Sequence, residues 1–166
     1  MMPNKPLSLD THQALELGLI KKGQIWFNGK GYTVEEFLKL KSYKVDGDLD
    51  LYGCNSLKSL PPDLKVGGDL DLEGCTSLKS LPSGLKVGGD LNLKGCSSLE
   101  SLPSGLKVGG DLYLNGCTSL ESLPPDLQVG GGLFLEGCTS LKSLPPGLKW
   151  RWANLPEHLK TKFRLI

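Results

Sequence analysis

Between residues 47 and 148 the apolar positions follow one template. Leu70 and Leu72 alternate with Asp69, Asp71 and Glu73. That period of two predicts a short strand with the leucines inward and the acids outward. Cys75, Leu78, Leu81, Leu85 and Val87 follow at spacings too irregular for a helix, with Pro82 and Gly84 between them. Proline fixes an extended or turning path, so the return is predicted to be extended or to hold single 3₁₀ turns. The Gly88-Gly89 pair predicts a tight bend, and the template L-x-L-x-x-C-x-x-L-x-x-L-P-x-x-L-x-V restarts at Leu91. Cys54, Cys75, Cys96, Cys117 and Cys138 mark five units, each 21 residues from the next.

A fixed period of this size predicts a solenoid. The energetics require stacking. Burial of an inward side chain contributes ~1.5–3 kcal/mol, and each unit has only about seven. Ordering the backbone costs ~1–2 kcal/mol per residue over the whole unit. A lone unit cannot offset that cost; stacked units bury both faces of the leucine layer and join their strands into a parallel sheet.

Both ends of such a stack need cover. Upstream, Tyr43-Lys44-Val45 matches Leu64-Lys65-Val66, so a half-unit opens the array. Thr33-Val34-Glu35-Glu36 is a capping box for a helix through Leu40, Ile25 to Tyr32 reads as a hairpin turning at Asn28-Gly29, and Asp10 with Gln13 opens a short helix to about Leu19. Downstream no strand is expected. Asn154-Leu155-Pro156-Glu157 reads as a second capping box, with Leu155, Leu159 and Phe163 on one helical face. Trp150 and Trp152 are expected to cover the last leucine layer. The expected organisation is an α+β cap over residues 1–42, the array over 43–149, and a helical cap over 150–166.

The repeated L-x-L-x-x-C-x-x-L core resembles the leucine-rich repeat family, and the short unit with proline after its last core leucine is similar to the bacterial short-repeat subtype. The resemblance implies an α/β solenoid with a parallel sheet on its concave face. It also implies a general binding scaffold rather than one activity. Proteins of this type include secreted bacterial effectors and phage-borne proteins, which makes an effector or a phage inhibitor of a host defence protein the implied settings. Some effectors carry a separate ubiquitin-ligase domain; these 166 residues hold no counterpart.

Composition adds little that conflicts with this. No apolar run approaches the ~20 residues of a membrane span, and Met1 to Asp10 contain no signal-peptide core. Together with five thiols, which favour a reducing compartment, this gives a cytoplasmic expectation. The cysteine column reads as a buried ladder of small apolar side chains, and His12 and His158 lie outside the array, away from any zinc spacing. Asp48, Asp69, Asp90 and Asp111 form a second column, broken at Gly132. Its carboxylates are read as bonding the adjacent Gly-Gly amides in Asx-turns, with calcium between coils as the competing reading. No catalytic signature is found, and neither an enzyme nor a cofactor is expected.

Net charge is only +1, but the array carries seven basic and twelve acidic side chains. The acids concentrate at outward strand positions, which disfavours nucleic acid there and favours a basic protein partner. Those positions also vary most between units. Between the strand leucines stand Asp50, Asp71, Asn92, Tyr113 and Phe134; after them stand Tyr52, Glu73, Lys94, Asn115 and Glu136. Tyr52, Tyr113 and Phe134 are the expected anchors, because aromatics dominate binding hot spots. Asp50, Asp71, Glu73, Asn92 and Lys94 are the expected polar contacts. The sequence therefore predicts a non-catalytic protein-recognition module. A structural, adhesive or carbohydrate-binding module, stacking sugars on Tyr113 and Phe134, is the alternative.

Overall fold

Asn28-Gly29 between two short apolar-polar runs sets up a hairpin, and the strands on either side of it pair as one. The computed structural model describes residues 25–27, 30–39 and 44–160. Strand β1 (Ile25–Phe27) runs antiparallel to β2 (Lys30–Tyr32), with Ile25 opposite Tyr32. Helix α1 (Val34–Leu38) begins at the Thr33 capping box: Glu36 N–H donates to Thr33 Oγ1 and Thr33 N–H donates to Glu36 Oε2. The expected helix at Asp10 to Leu19, the turn residues Asn28 and Gly29, Leu40 and Phe163 lie outside the described residues.

Each 21-residue unit then forms one coil with two strands of two residues. Strands β3 (Lys44–Val45), β5 (Lys65–Val66), β7 (Lys86–Val87), β9 (Lys107–Val108) and β11 (Gln128–Val129) stack in register as a five-stranded parallel sheet. Strands β4 (Leu49–Asp50), β6 (Leu70–Asp71), β8 (Leu91–Asn92), β10 (Leu112–Tyr113), β12 (Leu133–Phe134) and β13 (Ala153–Asn154) form a six-stranded one. The result is a β-solenoid of five turns. Both strands alternate as period two requires, with Val66 and Leu70 buried and Lys65 exposed. The leucines, valines and cysteines form one continuous core from Val45 to Leu144, and Phe37 and Leu159 belong to the same buried cluster.

Three expectations are corrected. The extended return path is itself partly a sheet, because the Lys-Val steps pair from coil to coil. The α/β class gives way to a β-solenoid, since the helices among the described residues are α1 and the four-residue α2 (Glu157–Lys160). A strand also does follow Trp150. The amides of Leu133 and Leu135 on the last full coil need acceptors, and Trp152 O and Asn154 O supply them at 2.9 and 2.8 Å. Asn154 is therefore a strand residue and not the expected helix cap.

The Gly-Gly pairs at the corner between the two sheets are needed for a different reason from the one expected. The positive-φ glycines are elsewhere, as at Gly74 after the strand. At the corner the constraint is space. Gly88 N–H donates to Val66 O at 2.9 Å, and a Cβ on Gly88 would collide with Gly67 O of the coil beneath. A Cβ on Gly89 would collide with the Asp69 carboxylate. In the first coil Asp46 takes the place of the first glycine, and Gly47 has open space around it.

Gly88→Ala is therefore expected to cost about 3 kcal/mol or more, because a backbone atom must move, whereas Gly47→Ala should stay within ~0.5 kcal/mol. Urea unfolding of both variants checks this; equal effects would remove the close-approach argument.

Candidate functional site

The six-stranded sheet turns one residue per strand outward, and parallel register aligns those residues across coils. Asp50 stands beside Asp71, Asp71 beside Asn92, Asn92 beside Tyr113 and Tyr113 beside Phe134. Tyr52, Glu73, Lys94, Asn115 and Glu136 lie two residues further along each coil. All the sequence-predicted site residues thus share one face.

Two bonding patterns organise the polar end. Asp50 Oδ1 accepts from Tyr52 N–H at 2.8 Å, Asp71 Oδ1 from Glu73 N–H at 2.8 Å and Asn92 Oδ1 from Lys94 N–H at 3.1 Å. These are Asx-turns that close the strand exit, so the three side chains serve the backbone as well as the surface. Between coils, Asn92 Nδ2 donates to Glu73 Oε2 at 3.0 Å. Burial, and then the neighbouring Asp50 and Glu73 charges, hold the Asp71 carboxyl above its ordinary range against its bond from Glu73 N–H.

The aspartate column is also corrected. Each carboxylate reaches the next coil rather than its own Gly-Gly turn: Asp48 Oδ1 accepts from Asp69 N–H, Asp69 from Asp90, Asp90 from Asp111, and Asp111 from Gly132, at 2.6–2.8 Å. The column is an inter-coil ladder of charge-assisted hydrogen bonds. Among the described residues no group of three or more acids, cysteines or histidines is placed to hold a metal ion.

The aromatic end is assembled before any partner arrives. Tyr113 and Phe134 stack with ring centroids 4.5 Å apart, and Phe134 meets Trp152 edge-on at 4.4 Å. Lys94 Nζ sits 4.7 Å over the Tyr113 ring from the preceding coil. The Tyr113 hydroxyl donates to Asp111 Oδ2 at 3.1 Å, and burial together with that carboxylate pushes the phenol pKa up. Lys94 and Phe134 thus both lie against the Tyr113 ring. Tyr113 and Phe134 are half-buried; Tyr52 and Trp152, at 56% and 52% exposure, are the exposed large apolar side chains among the described residues.

Trp152 was expected over the leucine layer. It lies instead on the outward face, and Trp150 packs against the core. A Cβ on Gly132 would stand 2.8 Å from Trp152 Cε2. The signal was in the sequence: the aspartate column breaks at Gly132 because the indole occupies that position.

The cysteines form the buried side of the same coils. All five are free and buried, and Cys75, Cys96, Cys117 and Cys138 donate Sγ–H to the carbonyls of Leu51, Leu72, Leu93 and Leu114 at 3.1–3.2 Å. Burial pushes Cys54 and Cys138 up to about 11 and Cys96 to about 12, and raises Cys75 and Cys117 as well. Thr118 Oγ1 donates to Ser97 O one coil back, at 3.5 Å.

No helix among the described residues is long and apolar enough to cross a membrane. Comparison of the chain with family models, with curated proteins and with solved structures gives no match.

A thiol with a raised folded pKa favours the fold while it stays protonated. That contribution is whole below the unfolded thiol value of about 8.5 and is lost as pH rises toward the folded values. The melting temperature should therefore fall from pH ~9 upward, and less steeply once Cys75, Cys96 and Cys117 are alanine. Disulfide reagents should label native protein slowly and urea-unfolded protein at once. Rapid native labelling of several cysteines would contradict the inward column.

Proposed function

We propose that the chain is a non-catalytic protein-recognition module whose binding surface is the outward face of the six-stranded sheet. Its coils are read as a short form of leucine-rich repeat, in which that face is the concave one. The observation that carries this reading is the preassembled run Lys94, Tyr113, Phe134 and Trp152, fixed by stacking and by the Asp111 bond. Rigid aromatics lose little conformational freedom on binding, so the contact energy is retained as affinity. Trp152, half-exposed at the end of the run, is the principal anchor. Asp50, Asp71 and Glu73 extend the surface toward the N-terminal coils and select a basic segment. The partner is thus a protein that presents an apolar side chain next to lysine or arginine. An effector or a phage inhibitor acting in a host cytoplasm fits such a module.

Affinity capture from a host lysate, followed by binding kinetics on the captured protein, tests the reading. Trp152→Ala and Phe134→Ala should each raise the dissociation rate about thirtyfold, the effect of losing a hot spot of ~2 kcal/mol. Asp50→Asn with Glu73→Gln should slow association, mainly at low salt. Normal binding by both aromatic variants would remove this face as the site.

A further inference from the structure

The five-stranded sheet turns a second column outward. Lys44, Lys65, Lys86 and Lys107 stand side by side in register, followed by Gln128. Lys149, 21 residues on, matches this position in the sequence repeat. All are exposed. Lys44 pairs with Asp46 at 2.9 Å, but no acid among the described residues lies within ion-pair reach of Lys65, Lys86 or Lys107. Coils of a parallel sheet are ~4.8 Å apart, and like charges directly opposite one another destabilise a sheet.

Duplication of units does not by itself account for this column. In the same coils another exposed column reads Lys58, Lys79, Glu100, Glu121 and Lys142. There the sign has changed, and Glu121 pairs with Lys142 at 2.6 Å. The lysine column has kept one sign over four coils. At its C-terminal end a groove of about 740 Å³ is lined by Lys107, Gln128 and Lys149 together with Pro125 and Asp126. It lies where β11 forms the edge of the sheet.

We infer that the lysine column and this groove bind an extended acidic polypeptide segment. The stripe is one residue wide, and Asp63 and Asp126 stand two residues before the column in the first and fourth coils. Four lysines span ~14 Å, the length of about four extended residues. A strand-like chain of carboxylates fits within that width. A nucleic-acid duplex is broader and would bring its phosphates within a Debye length, ~8 Å, of the array's excess of acids. This surface is separate from the aromatic face and stands or falls independently of it.

The test is fluorescence anisotropy at low salt with a labelled poly-glutamate peptide of about ten residues, enough to span the column. A serine-glycine peptide of equal length and a single-stranded oligonucleotide serve as comparisons. K65Q/K86Q/K107Q should weaken binding of the glutamate peptide about tenfold and flatten its salt dependence. Gln128 already occupies this column, so the variant should fold, and an unchanged melting temperature will establish that it does. K58Q/K79Q should bind as the parent does. The inference is overturned by equal affinity of the triple variant and the parent, or by failure to discriminate the acidic from the neutral peptide. It is also overturned by tighter binding of the oligonucleotide, or by self-association in sedimentation that the triple variant abolishes, which would make a second copy the occupant.

Discussion

Neighbouring coils approach too closely for a side chain at the Gly-Gly-Asp corner between the two sheets. There a backbone carbonyl and an aspartate carboxylate of one coil occupy the space where side chains of the next would begin. Each coil stacked on another must therefore bring two glycines to the same spot, as Gly67-Gly68, Gly88-Gly89, Gly109-Gly110 and Gly130-Gly131 do at 21-residue intervals. The aspartate then reaches across to the amide one coil on, tying the coils together just where they are least able to slide. The register of both sheets follows from this corner. So does the leucine layer, because a slip of one residue would turn every inward leucine outward.

With the core and corner fixed, selection of side chains is free only at the outward positions, and the chain uses them unevenly. The six-stranded sheet grades from carboxylates to stacked aromatics, whereas the five-stranded sheet carries lysine on four strands and Gln128 on the last. Parallel register turns one choice per unit into a continuous column. The stack of Tyr113 on Phe134 exists because two units happen to place rings at neighbouring coil positions. Trp152, just before the last strand, extends it where the unit has departed from the template.

The sequence made the coil legible because its signals are local and repeated five times: period-two leucines, the cysteine interval and the prolines. The alignment of Asp50, Asp71, Asn92, Tyr113 and Phe134 followed from that period alone. What stayed hidden depends on contacts between coils. The reach of Asp69 to the amide of Asp90 is one example, and the use of Gly88 for closeness rather than for φ is another. The C-terminal end departs from its local sequence signal for a related reason. Asn154-Leu155-Pro156-Glu157 has helix-start chemistry, but the unpaired amides of Leu133 and Leu135 recruited Ala153 and Asn154 into the sheet. A local motif lost to an edge that only the assembled stack presents.

That the corner dictates a 21-residue coil is the claim on which the columns, and both surfaces, depend. Removing residues 68–88 joins Gly67 to Gly89 and restores the template while leaving Lys94, Tyr113, Phe134 and Trp152 in place. Urea unfolding of that deletion is the direct measurement. A single cooperative transition with a proportionately smaller m-value is predicted, because the surface exposed on unfolding scales with the number of coils. A companion deletion one residue shorter should not fold cooperatively. If the two deletions unfold alike, the corner does not set the register and the account is wrong.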